Sequence, residues 1–200
     1  MNKEQILRTA LEEWTSGLSP VQARVKVFER VREMGYVYPS SKDPLVVLQE
    51  GRGSGAGKHY LLGELFRLLG LSVRNMLCVH RFNESPIGFP DHLQLMLEKN
   101  EIMDLHDYVQ IAVDGKWIDI DATWPTVLRE FGFPVNDEWD GTSSMLLSVS
   151  PEEVIVVRGD PEKAKDELLS KWTPRQRQLR KQFLEGLSAW VAELVAEGQR

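Results

Sequence analysis

HDYVQIAVDGKWIDIDATWP, residues 106–125, is two runs of alternating apolar and polar residues joined at Asp114-Gly115. Asp-Gly between such runs is a strong hairpin signal, and a two-residue loop fixes the register of the flanking strands. Val113 then opposes Lys116. Each opposed pair sums to the same number, so Gln110 opposes Asp119, Tyr108 opposes Asp121 and His106 opposes Thr123. Side chains alternate along a strand. One face therefore carries Val109, Ile111, Val113, Ile118 and Ile120, and the other carries His106, Tyr108, Gln110, Asp119, Asp121 and Thr123. His106 and Asp121 become diagonal neighbours, about 7–8 Å apart at the backbone, within reach of a ring nitrogen and a carboxylate. A carboxylate so placed holds an imidazole in one tautomer and stabilises its protonated form. On spacing alone, a solvated polar face is the commoner reading of the same residues.

Outward from the hairpin, Gly51 to Gly57 form a glycine-rich loop opening a helix with Leu61, Leu62, Leu65, Phe66 and Leu69 inward and Gly70 as its stop. The first forty residues read as two helices: Ile6, Leu7, Ala10, Leu11 and Trp14 recur at helical spacing, then Val21, Val25, Phe28 and Val31 after Ser19-Pro20. Residues 45–48 read as a strand or extended lead-in, 72–79 as a strand, 83–91 as a loop, and 145–149 and 154–157 as two further strands. A helical part begins at Asp160-Pro161, and its last helix spaces Leu179, Phe183, Leu187, Trp190 and Leu194 as an apolar stripe. The expectation is an α+β fold in one domain over 1–200: a helical part at 1–40, a core at 44–158 with a central antiparallel sheet, and C-terminal helices at 160–200.

Two hundred residues, 42% apolar and 27% charged, suffice for one sizeable core. The formal charge of −6 leaves no cationic excess to offset phosphate repulsion, so nucleic acid is not expected as a partner. Arg175, Arg177, Arg180 and Lys181 gather locally, but Glu185 and Glu193 follow them, and the group reads as a solvated helix face. MNKEQILRTALEEW is charged and helix-patterned, without the apolar region of a secretion signal, and no run of about 18 apolar residues occurs. A cytoplasmic protein with no membrane partner is the expectation. The single cysteine, Cys78, excludes an internal disulfide and a paired-thiolate zinc site. His59, His80 and His92 show no ligand spacing and read as surface or satisfied core histidines, so neither metal nor cofactor is expected.

Gly53-Ser54, Lys58-His59 and Leu61-Leu62, then His106, then Trp117 followed by Asp121-Ala122-Thr123, stand in an order that resembles the transglutaminase-like superfamily. The resemblance covers about residues 44–125. It implies a papain-like α+β fold with the nucleophile position at the start of a central helix, a histidine base at His106 and its orienting acid at Asp121. It also implies acyl transfer or amide hydrolysis in intact relatives. Where the family carries its cysteine this chain has Gly55.

An intact site acidifies the thiol through the helix dipole and a nearby imidazolium. Gly55 removes that reagent, and a catalytically silent protein whose cavity binds a peptide or protein ligand is the resulting expectation. The same residues also describe a Cys-to-Gly variant of an active enzyme. Ser54 reads as a helix cap, Cys78 as a buried inert thiol, and direct water activation by His106 and Asp121 as a third route. The alternative is nucleotide binding, since a strand-like 44–49, the 51–58 glycine loop and Gly57-Lys58 mimic a phosphate loop. Arg52 and His59 stand where that pattern needs Gly and Ser or Thr.

Overall fold

The computed structural model describes residues 2–198. Helices α1 (Lys3–Thr15) and α2 (Pro20–Arg32) each begin at a capping box, at Asn2 with Gln5 and at Ser19 with Gln22. Leu7 and Leu11 bury one stripe of α1. The inward stripe of α2 is Ala23, Val27, Phe28 and Val31, whereas Val21 is exposed. The two-residue strand β1 (Gly35–Tyr36) pairs in parallel with β2 (Arg52–Gly53).

Between them lies α3 (Pro44–Glu50), a helix where the sequence suggests a strand at 44–49. Its ends explain the correction. The Asp43 side chain accepts the Leu45 amide at 2.9 Å, Pro44 takes the first helical position, and Gly51 closes the helix with φ +62°. A four-residue apolar run carries no period of its own, so the caps decide.

Helix α4 (Gly55–Leu68) packs Leu61, Leu62, Leu65 and Phe66 against one face of a four-stranded antiparallel sheet, together with residues of α1 and α2. The sheet order is β5 (Lys116–Ile120), β4 (Met103–Val113), β3 (Val73–Arg81), β6 (Glu153–Val157). The β4–β5 register is the one derived from the sequence: Val113 pairs with Lys116, Ile111 with Ile118, Gln110 with Asp119 and Val109 with Ile120. Asp114 (φ +50°) and Gly115 (φ +78°) supply the two left-handed residues that such a turn needs. Val109, Ile111, Val113, Ile118 and Ile120 all join the buried core, each contributing about 1.5–3 kcal/mol.

The strand expected at 145–149 is not one. Met145 makes a single backbone bond to Asp119, and the segment otherwise lays Leu147 and Val149 over Met76, Cys78 and Tyr108 on the second face of the sheet. After the loop at 83–91 comes a helix that the sequence reading omits, α5 (Asp91–Lys99), with Leu93 and Leu97 inward. It packs against α7 (Pro174–Gly198), which follows α6 (Pro161–Ser170) and buries Phe183, Leu187, Val191 and Leu194 in a second core with Trp124, Leu128 and Phe133. The fold is therefore α+β, with a central antiparallel sheet flanked by helices. Among the described residues no helix is long and apolar enough to cross a membrane.

Candidate active site

Beyond the last ladder pair, β4 and the chain leaving β5 stay together long enough to bring the diagonal partners into contact: His106 Nε2 lies 2.8 Å from Asp121 Oδ2. Both residues are buried, at 8% and 2% exposure. The carboxylate is held from every side. Oδ1 accepts the Thr123 amide at 3.0 Å and the Thr123 hydroxyl at 2.6 Å, while Oδ2 accepts the Ser148 amide at 2.7 Å. Burial opposes ionisation of Asp121, but the neighbouring His106 outweighs it, keeping the carboxyl well below its usual range. A carboxylate acceptor at Nε2 requires that nitrogen to carry the proton, leaving Nδ1 free of any protein partner among the described residues.

The helix side is built around Gly55 at the first position of α4. Ser54 is the cap, its hydroxyl accepting the Gly57 amide at 3.3 Å, as its sequence context suggests. The amides of Gly55 and Ala56 find no protein acceptor among the described residues, as expected for the first turn of a helix. A Cβ on Gly55 would meet only Thr123, at 3.8 Å from Cγ2 and 3.9 Å from Oγ1. Gly57 contrasts with it: a Cβ there would lie 2.8 Å from the Ser41 carbonyl.

Ser54, Gly55, Ala56, His106 and Thr123 line a cavity of about 250 Å³. The structure adds groups that the sequence reading did not single out. Asp104 is ion-paired to Arg180 and Asp107 to Lys165, and Asp107 also accepts a hydrogen bond from the Tyr60 hydroxyl. Burial works against the Asp104 carboxylate, yet Arg180, His80 and Lys165 hold its pKa well below the ordinary value. Arg180 is thus no part of a solvated face, as the basic cluster suggested. Its partner lies 76 residues away, and no local spacing announces the pair. Arg177 instead binds the Leu169, Ser170 and Trp172 carbonyls at the end of α6, and Arg175 binds the Asn100 side chain.

Lys58 braces the loop from inside. Fully buried, its Nζ donates to the carbonyls of Arg32 (2.8 Å), Met34 (3.0 Å) and Thr123 (2.8 Å). Burial draws this ammonium down to about 7, the Glu33 and Asp121 carboxylates oppose that, and the three acceptors take all three N–H groups of the charged form. Lys58 thus has no N–H left for a phosphate, and the segment before the loop is helical rather than the strand of a phosphate loop. His59 is a satisfied core histidine: Nδ1 donates to the Gly55 carbonyl at 2.8 Å and Nε2 accepts the Ala122 amide at 2.9 Å. These partners make the ring neutral, so its 3.5 Å approach to Asp121 is not an ion pair. His80 is buried beside Asp104 and His92 is exposed. Cys78 is fully buried, and burial pushes its thiol up to about 12. Among the described residues no cluster of three or more His, Cys, Asp or Glu could hold a metal ion.

No protein-family model and no curated protein matches the chain. The crystal structure of a "Putative Cysteine Protease from Cytophaga hutchinsonii" is similar at 18% identity and a TM-score of 0.45, over 63% of this chain and 39% of that one. This chain thus spans well under two thirds of that protein's length. A likeness at that level is loose and transfers no residue role.

Proposed function

We propose that the protein is a transglutaminase-like frame without its nucleophile, catalytically silent, which binds a peptide or protein ligand in the cavity beside His106. In this reading His106 and Asp121 are the retained base and orienting acid, and Gly55 is the vacated nucleophile position. One observation carries it. The glycine at the head of α4 is required neither by its backbone, since its φ is not in the left-handed region, nor by packing, since a side chain there would have ordinary contacts with Thr123 alone. Room for a reactive side chain persists beside a buried imidazole–carboxylate pair, and the residue present has nothing to react with.

Gly55→Cys tests the proposal. Its iodoacetamide rate, followed against pH, should plateau well below the midpoint of an ordinary thiol near 8.5, because the helix terminus and His106 favour the thiolate. The parent chain should show no alkylation on that timescale and no amide turnover. A rate profile like that of free cysteine would overturn the reading.

A further inference from the structure

The hydrogen-bonding capacity left over around the cavity is unbalanced. Every carboxylate lining it already has a cation: Asp104 has Arg180, Asp107 has Lys165 and Asp166 has Lys42. Among the described groups lining it that have no protein partner, three are donors. They are the amides of Gly55 and Ala56 at the positive end of a 14-residue helix, and the indole N–H of Trp124, whose ring lines the same cavity at 6% exposure. Beside them His106, 8% exposed, presents a ring with Nε2 engaged by Asp121 and Nδ1 unengaged. A thiolate site holds its anion at this place; with glycine there, the helix terminus and the imidazole remain and the negative charge does not.

We propose that the cavity binds a carboxylate, from a peptide C-terminus or a small free acid, seated where a side chain at position 55 would project, against the Gly55 and Ala56 amides and His106. This rests on the frame proposed above and names its ligand. About 250 Å³ lies below the usual range for ligand pockets, which suits one small acidic group rather than an extended molecule.

The chemistry fixes a pH signature. Because Nε2 donates to Asp121, neutral His106 offers only a lone pair at Nδ1, and the ring must be protonated to donate to a carboxylate. Binding therefore takes up one proton, and affinity falls as pH rises. The titratable groups facing this ring are Asp121 after β5, His59 from α4 (ring centroids 5.7 Å apart), Cys78 and His80 from β3 (His80 at 6.3 Å), and Tyr108 on its own strand. His80 is the other imidazole lining the cavity, with Asp104 and Arg180 behind it, so His80→Gln separates the two.

The full chain is titrated with acetate, N-acetylglycine and N-acetylglycinamide while the Gly55 and Ala56 amide and His106 ring NMR signals are followed. Both acids should saturate these shifts and the neutral amide should not. The affinity of the acids should fall as pH rises, in His80→Gln as in the parent. Gly55→Asp, bringing its own carboxylate, should abolish binding. Tighter binding of N-acetylglycine than of acetate supports a peptide terminus, and equal binding supports a free acid. The proposal is overturned if N-acetylglycinamide binds as well as the acids, or if neither acid moves these signals. Should Gly55→Cys give a reactive thiolate while the parent ignores acids, this inference alone fails; an ordinary thiol with acids bound would sink the frame and leave the carboxylate site.

Discussion

The His59 ring joins the first turn of α4 to the strand end that carries Asp121: one nitrogen binds the Gly55 carbonyl and the other takes the Ala122 amide, at 2.8 and 2.9 Å. The distance between the helix head and the carboxylate is therefore set by an imidazole that needs no charge. His59→Ala should orphan the Ala122 amide and open a hole in the core, lowering unfolding free energy in urea by about 3 kcal/mol. In a Gly55→Cys background the same change should also slow alkylation, since Asp121 would no longer be held to the helix.

The two glycines of the first turn should respond oppositely to a methyl group. Gly55→Ala places a Cβ at ordinary contact distance from Thr123 and restricts the unfolded chain, so it should be neutral or stabilise by up to about 1 kcal/mol. Gly57→Ala drives a Cβ to 2.8 Å from the Ser41 carbonyl and 3.1 Å from Val47, and should cost about 1–3 kcal/mol in the same denaturation experiment.

Lys58→Met keeps much of the side-chain volume and strips three carbonyls of their donor. With Nζ wholly buried, the loss should reach about 3 kcal/mol or more. Because the amine has no N–H to spare, ATP with magnesium should leave the melting temperature of the parent protein unmoved. A clear ATP-dependent rise that Lys58→Met removed would restore nucleotide binding as the reading of this loop.

Asp121 binds its proton less readily in the folded chain than at its ordinary value of 3.8. Below 3.8 the unfolded chain takes up the proton first, so stability rises with pH in this window and falls as acid is added. This contribution is intact above about pH 4 and is lost progressively as pH drops toward the folded value. Asp121→Asn should flatten the acid limb of a stability–pH curve by up to about 1.4 kcal/mol per pH unit, measured by urea denaturation from pH 2 to 6.

Arg180 and Asp104 meet with side chains only 12% and 11% exposed. Arg180→Ala leaves a carboxylate stranded at the cavity wall and should destabilise by about 3–5 kcal/mol. Removing both groups should recover part of that loss, a coupling that a double-mutant cycle reads directly.

The hairpin was legible because its information is local. A turn dipeptide and strict alternation set the register, and the register alone brought His106 to Asp121. Helix α3 was misread because its four apolar residues carry no period, while Asp43, Pro44 and Gly51 decided the outcome at its ends. The 145–149 run has strand composition, but its amide at Ser148 serves the Asp121 carboxylate rather than a neighbouring strand. Arg180, Lys165 and Asp104 escaped for a different reason. Their partners lie 58 to 76 residues distant, and pairing over such separations leaves no spacing to read.

Cys78, the sole thiol of the chain, is sealed between β4 and β6 and held protonated by its surroundings. Maleimide dyes and spin labels should pass it by while the protein stays folded, so this chain already serves as a cysteine-light background. One engineered cysteine on any exposed helix would then report distances or mobility without a second site to subtract, and the moment at which Cys78 itself becomes modifiable would mark the opening of the sheet.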